Sequence, residues 1–356
     1  MRRRLALIAA AVGLAAAAPL FAQAPYAPVV PGHALRFPRD LGAHPLHRIE
    51  WWYLTGNLEG AAGPLGFQVT FFRVRNPAAE GNPSRFSPSQ LLFAHAALSD
   101  PARGRLLHGE RSARAYDGLV FAKEDDTDVR IDDWSLVREA NHYEARIDAE
   151  DFALALEAAP TQPVLLEGDR GFSRKGPLAT QASYYYSEPQ LAVKGRVRTA
   201  AGTREVSGVA WLDHEWSSEL LAPDAQGWDW LGANLDDGTA LMAFRMRAKD
   251  GSVLWSQATL RAKDGAAVSY SGDAVRFTAL RRWRSPRTGV EYPVAMAVEV
   301  AGKRWALAPL MDDQELDARA STGTLYWEGA VRLSGAGLAA GRGYLELTGY
   351  AGRVPF

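Results

Sequence analysis

The 356-residue chain contains no cysteine. That absence excludes disulfides, thiolate metal sites, iron–sulfur clusters, thiol nucleophiles and a lipid-modified N-terminal cysteine. A surplus of charge is missing too. Forty Lys and Arg face 41 Asp and Glu, a formal charge of −1, so no basic excess is there to displace counterions and nucleic acid is not an expected partner. There is no G-x-G-x-x-G after a strand-like run and no G-x-x-x-x-G-K-[ST], which removes the usual nucleotide loops. Neither a G-x-S-x-G elbow nor an H-E-x-x-H helix occurs, which disfavours the common serine hydrolases and zinc proteases. A sustained helical period is also lacking. The best helix candidate is the short Met311–Ala320, MDDQELDARA, whose acidic start suits a helix N-terminus. What remains is His, carboxylate, hydroxyl and aromatic chemistry, with no cofactor and no metal expected. The 47% hydrophobic content, with 11 Trp, describes a globular protein.

The one long apolar run is at the N-terminus. Arg2, Arg3 and Arg4 precede the stretch Leu5 to Leu20, and Ala22-Gln23-Ala24 supplies the small-x-small pattern of a signal-peptidase site. Residues 1–24 therefore read as an export signal, and the mature protein is expected to be periplasmic or secreted with no integral membrane segment. Residues 25–40, rich in proline, read as an extended arm.

The rest alternates in steps of two, as strands do. Phe67-Val69-Phe71, Tyr143-Ala145-Ile147, Phe152-Leu154-Leu156 and Val294-Met296-Val298-Val300 are examples, separated by turn signals such as Asp237-Gly238 and Asp250-Gly251. A repeat sets the domain count. WWYLTGNL at 51–58 and WDWLGANL at 228–235 align without gaps at an offset of 177, with FFRVR at 71–75 echoed by AFRMR at 243–247. The pattern predicts two copies of one β-domain, at 41–204 and 205–356, of the sandwich or up-and-down barrel type.

Several segments concentrate chemistry. In Glu50-Trp51-Trp52-Tyr53, Glu50 and Trp52 share a strand face; Trp52 is placed to close a barrel end, and a carboxylate buried beside it needs an Arg or hydrogen-bond donors. His44, His47 and Glu50 recur every three residues, but in a Pro-containing loop without helical spacing, so backbone bonding rather than a metal is expected. His95 sits beside the small Ala97 on one strand face, which leaves room for a ligand if that face borders a cavity. The densest cluster is Trp211-Leu212-Asp213-His214-Glu215-Trp216: alternation sets His214 with Trp216, opposite Asp213 with Glu215. Trp228 and Trp230 add aromatic surface. The run Tyr184-Tyr185-Tyr186 alternates faces, with Tyr185 the candidate pocket residue.

HPLHRIEWWYLTGNLEG (44–60), FAHAALSD (93–100), SYYYSEPQLAVKG (183–195), WLDHEWSS (211–218), YWEGAVRLSG (326–335) and GRGYLELTGY (341–350) together resemble the carotenoid 1,2-hydratase-like family. The resemblance implies an all-β fold of two lipocalin-like antiparallel barrels packed together, with few short helices. Taken with the export signal and the aromatic content, it leaves three functions, and from the hydratases it carries over His214 and Trp216 alone. The first is binding of a lipophilic lipid or isoprenoid ligand through Glu50, Trp52, His95, Trp228, Trp230 and Tyr185. The second is a cofactor-free hydratase or hydrolase using His214, Asp213, Glu215 and Trp216, where His214 moves a proton and Trp216 faces a cation. The third is a periplasmic partner of an ABC transporter permease, beside which such proteins are often encoded. The chain departs from the hydratases at 241–247, LMAFRMR, where Arg245 stands in place of an expected acid.

Overall fold

The computed structural model describes residues 26–354 apart from Arg85 and Leu220, so the expected signal at 1–24 lies outside the described residues. Among these residues there is no α-helix, and no helix long and apolar enough to cross a membrane. The strands of the first half are β1 (Ile49–Gly60), β2 (Gly63–Arg75), β3 (Gln90–Ser99), β4 (Leu106–Arg114), β5 (Val120–Ala122), β6 (Asp128–Ile131), β7 (Trp134–Glu139), β8 (His142–Asp148), β9 (Phe152–Ala159), β10 (Leu165–Leu166), β11 (Phe172–Arg174), β12 (Ala182–Thr199) and β13 (Gly202–Glu219). Those of the second are β14 (Ala225–Leu235), β15 (Ala240–Ala248), β16 (Val253–Arg261), β17 (Ala267–Ser271), β18 (Val275–Arg284), β19 (Glu291–Val300), β20 (Lys303–Pro309), β21 (Glu315–Ala318), β22 (Thr324–Gly335) and β23 (Leu338–Leu347).

Each half is a meander whose last strand returns to its first. The first sheet runs β4-β3-β2-β1-β13-β12-β9-β8-β7-β6-β5 and curls into a nearly closed barrel. The second runs β17-β16-β15-β14-β23-β22-β20-β19-β18. Superposing the two orders puts β14 on β1, β23 on β13 and β22 on β12, so the repeat at offset 177 is a repeat of topology. The division expected near residue 205 falls inside β13, which pairs along its length with β1. The first sheet thus extends to Glu219 and the second starts at Ala225.

Even-numbered residues of β1 and β13 point into the first barrel. Leu54, Leu58, Phe67, Phe71, Trp134 and Leu212 fill it, so its interior is a packed core. Leu231, Val298, Trp305 and Trp327 do the same in the second barrel. The opposite faces of β1, β13, β14, β15, β22 and β23 meet between the barrels, where Trp211, Trp230, Met242, Phe244 and Tyr344 form a third cluster. Gly66 matters there, since a Cβ at that position would lie 2.5 Å from the Ala330 methyl. The contact is pseudo-symmetric. Asn57 Nδ2 donates to Gly343 O at 3.1 Å, and its repeat counterpart Asn234 donates to Ala210 O at 3.0 Å, the pattern a two-fold interface gives.

The expected helix at 311–320 does not form. Its acids are drawn elsewhere: Asp313 pairs with Arg287, while Glu315 accepts from Thr288 Oγ1 at 2.6 Å and Tyr292 Oη at 3.0 Å. The segment is held extended instead, with Glu315–Ala318 paired to β22. The arm ahead of β1 wraps one barrel end. Val29 and Leu41 pack on Tyr184, Tyr186 and Trp216, and Val30 N–H donates to Tyr184 Oη at 2.9 Å.

Candidate functional site

The two faces of β13 lead to two polar centres of opposite character. The inward face carries His214 and Trp216 to the end of the first barrel that the arm covers. There Glu50, wholly buried, is saturated with donors. His214 Nε2 lies 2.8 Å and His44 Nδ1 2.7 Å from Oε1, while Oε2 accepts from Arg73 Nε and the His44 backbone N–H, both at 2.8 Å. His44 Nε2 reaches Asp40 at 3.2 Å, and His214 Nδ1 reaches Tyr186 Oη at 3.1 Å. Both imidazoles stack on indoles, His44 on Trp216 at 3.7 Å and His214 on Trp52 at 4.6 Å. Burial works to raise the Glu50 pKa, but the His44 and Arg73 charges and the imidazole bonds overcome it and hold the carboxyl well below its usual range. For His214 burial prevails and pushes the pKa down to about 4, against the pull of Glu50.

His44, Glu50 and His214 also form a group whose potential ligand atoms lie within 4.8 Å of one another. Those atoms are already bonded to each other, and the Arg73 cation sits on the same carboxylate, so the arrangement suits a closed hydrogen-bonded hub better than a metal ion. The second barrel has a simpler version, with Asp229 clamped by Arg245 at 2.6 Å and Arg247 at 3.1 Å. Arg245, which replaces an expected acid, thus neutralises one.

The outward face of β13 carries Asp213 and Glu215 into a cavity of about 360 Å³ between the barrels. Strands from both barrels build it. Its walls are aromatic and aliphatic, with Trp51, Phe72, Trp228, Trp230, Phe244 and Met246, and its polar groups include Asp213, Glu215, Glu328, Glu346, Lys175 and His95, with Arg319 and Arg353 also on its lining. Lys175 Nζ is 2.8 Å from Glu215 and lies over the Tyr185 and Phe244 rings at 4.5 and 4.4 Å. Asp213 takes three donors, from Trp211 Nε1, Ser187 Oγ and Tyr185 Oη, each at 2.6 Å. Burial still pushes its pKa up to about 7, aided by the Glu215 charge. Glu346 is its repeat counterpart, opposite Trp230 as Asp213 is opposite Tyr53. Burial, then the Asp213 and Glu215 charges, bring it also to about 7. Glu328 lies directly across from Glu346 and accepts from Tyr53 Oη at 2.9 Å. Burial and the Glu346 charge hold it well above its usual range. His95 is driven down to about 3 by burial and then His108, so it is neutral; its ring nitrogens lie 2.6 Å from Tyr326 Oη and 2.9 Å from Ser321 Oγ.

Of the residues singled out in the sequence, Asp213, Glu215, His95, Trp228 and Trp230 line this cavity. His214, Trp216, Glu50 and Trp52 belong to the hub on the other face of the sheet, and Tyr185 stands behind the wall as the partner of Asp213 and of Trp230 Nε1 at 3.1 Å. Tyr53, Lys175, Glu328 and Glu346 were not anticipated. Extending the repeat would have found two of them, since SYYYSEP against TLYWEGA sets Ser187 with Glu328, and WLDHEW against YLELTG sets Asp213 with Glu346.

A family model described as AttH-like matches residues 28–350. The crystal structure of an AttH of Nitrosomonas europaea is 55% identical, with a TM-score of 0.85 over 91% of this chain and 99% of that one. Kievitone hydratase from Nectria haematococca, at 13% identity, has a TM-score of 0.66 over 92% of this chain and 98% of that one. CghA with Sch210972, at 14% identity, reaches 0.51 over 85% and 89%. The last two likenesses concern the fold. No curated protein matches the sequence.

Proposed function

The chain belongs to the AttH-like family, and from that premise we propose that it binds a lipophilic small molecule in the cavity between its barrels. One observation carries the reading: an aromatic-walled space at the lower end of the usual ~300–1,000 Å³ for small-molecule sites, with polar groups converging on it from both barrels. That volume suits a ring compound or a short isoprenoid better than a long carotenoid enclosed along its length. Native mass spectrometry with solvent extraction, followed by titration with cis-parinaric acid and an isoprenoid probe, tests it. A bound or bindable apolar compound is expected. An empty protein that takes up neither probe overturns the reading.

A second reading is favoured by the carboxyls. Asp213 and Glu346 are each pushed to about 7, so at neutral pH one can be protonated while another is ionised, the condition for paired acid and base work. A protonated carboxyl gives its proton to one alkene carbon, and the Trp228 and Trp230 faces stabilise the resulting cation by about 0.5–2 kcal/mol. Water adds to the cation, and the ionised carboxyl takes the proton that water releases. This is cofactor-free hydro-lyase chemistry, and a protein named as a hydratase shares the fold. It moves the proposed acid from His214 to Asp213. Incorporation of label from isotopic water into an alkene substrate, lost by ~10²-fold or more in Asp213→Asn, is the expected result. Undiminished incorporation contradicts it. We further propose that Arg2–Ala24 is an export signal and that the protein works in the envelope, with N-terminal sequencing of the mature protein as the test of the first and co-purification as the test of a partnership with an ABC transporter permease.

A further inference from the structure

Behind Asp213, outside the cavity wall, lies a second carboxyl that neither reading above uses. Glu167 follows β10 and is wholly buried; its backbone N–H donates to Tyr185 O at 3.1 Å, and Gly168, at a φ of +67°, turns the chain where a Cβ would strike Phe172 O. Its Oε1 is 3.0 Å from Ser187 Oγ, and the same Oγ is 2.6 Å from Asp213 Oδ1. Ser187 therefore bridges two carboxyls with a single hydroxyl proton. A hydroxyl donates once, so both contacts are hydrogen bonds only when one carboxyl carries a proton and donates it to Ser187 Oγ. Asp213 already accepts from Trp211 and Tyr185, bonds that favour its ionised form. Glu167 has fewer donors, with Thr259 and Ser187 beside it.

We propose that Glu167 stores a proton for the cavity and passes it through Ser187 to Asp213, making Glu167 and Ser187 positioning residues for the acid–base chemistry of the second reading above. The step balances. The Glu167 O–H proton moves to Ser187 Oγ as the Ser187 hydroxyl proton moves to Asp213 Oδ1. One carboxylate becomes an acid, one acid becomes a carboxylate, and no net charge enters the buried unit. The charged and titratable groups facing Glu167 are Asp213 on β13, Lys175, Tyr185 on β12 and Arg261 on β16. Burial raises the pKa of Glu167 to about 8, and the Asp213 charge adds to it against Lys175, which fits a site that stays loaded at neutral pH.

Infrared spectroscopy of the unliganded protein tests the store without any substrate. The expected result is a buried carboxylic-acid C=O stretch at pH 7 that disappears in Glu167→Gln. In Asp213→Asn the same band should titrate at lower pH, because the like charge is gone. Ser187→Ala should shift its frequency and Ser187→Thr should restore it. Should Glu167→Gln fail to fold, the Ser187 pair still decides, since a band indifferent to the bridging hydroxyl overturns the relay. A wild-type spectrum that Glu167→Gln leaves unchanged at pH 7 overturns it as well. Failure of probe binding or label incorporation bears on the function proposed above and leaves this result standing.

Discussion

Asp213 and His214 are neighbours in the chain and belong to different centres. His214 points into the first barrel, where it and Arg73, His44 and the His44 amide saturate Glu50. Asp213 points out, into the space shared with the second barrel. The inward centre holds its carboxylate ionised by surrounding it with donors and cations. The outward centre holds its carboxyls near neutrality by burying several of them together, with the buried Lys175 already paired to Glu215 and the other lining cations, Arg319 and Arg353, exposed. Density of ionisable residues does not by itself mark reactivity. A saturated hub is a structural joint, here fastening the arm over the barrel end, whereas under-compensated acids beside an apolar wall are poised to exchange protons.

Breaking the joint should have the largest effect. Arg73→Met leaves Glu50 buried with its permanent cation gone and is expected to destabilise by about 3–5 kcal/mol in urea denaturation. A loss below ~1 kcal/mol would show that the hub does not fasten the barrel. Next in size is the pH dependence, where the two centres run in opposite senses. The raised carboxyls contribute stability that is full below their unfolded values of 3.8 for Asp213 and 4.5 for Glu346 and is lost as pH rises through about 7. Glu50, held low, contributes stability present above 4.5 and lost as pH falls through its depressed value. Asp213→Asn should therefore narrow the fall in stability between pH 5 and 8 by at least ~1 kcal/mol, about one pKa unit, and Glu50→Gln should not. Parallel denaturation curves for wild type and Asp213→Asn would break the distinction. The smallest effect is expected from Tyr53→Phe, which removes one neutral donor from Glu328 and should cost about 1 kcal/mol by the same assay. A loss as large as that of Arg73→Met would mean that the cavity too is a structural joint.

Much of the fold was legible because strand alternation and a repeated strand are local signals. The matched segments at 51–58 and 228–235 occupy equivalent strands, and the alternation that separates His214 and Trp216 from Asp213 and Glu215 is seen as expected. Which face meets a cavity was not legible. Alternation distinguishes two faces, but only the packing of one barrel on the other decides that the odd-numbered face borders open space while the interior is filled by Phe67, Phe71 and Trp134. Glu328 and Glu346 escaped for a related reason. They lie more than 110 residues from Asp213 in sequence and reach the shared cavity where β22 and β23 pack on β2 and β1 of the other barrel. The segment at 311–320 misled because its acids resemble a helix start, while long-range partners such as Arg287 and Tyr292 claim them.

On this reading ligands enter the space between the barrels and not the interior of the first. Affinity for cis-parinaric acid in two variants measures this most directly: Met246→Trp, which fills the space beside Trp228, and His214→Phe, which alters only the hub. Met246→Trp should weaken binding at least tenfold, about 1.4 kcal/mol, with His214→Phe within twofold of wild type. Weakened binding in His214→Phe with Met246→Trp unaffected would contradict the account.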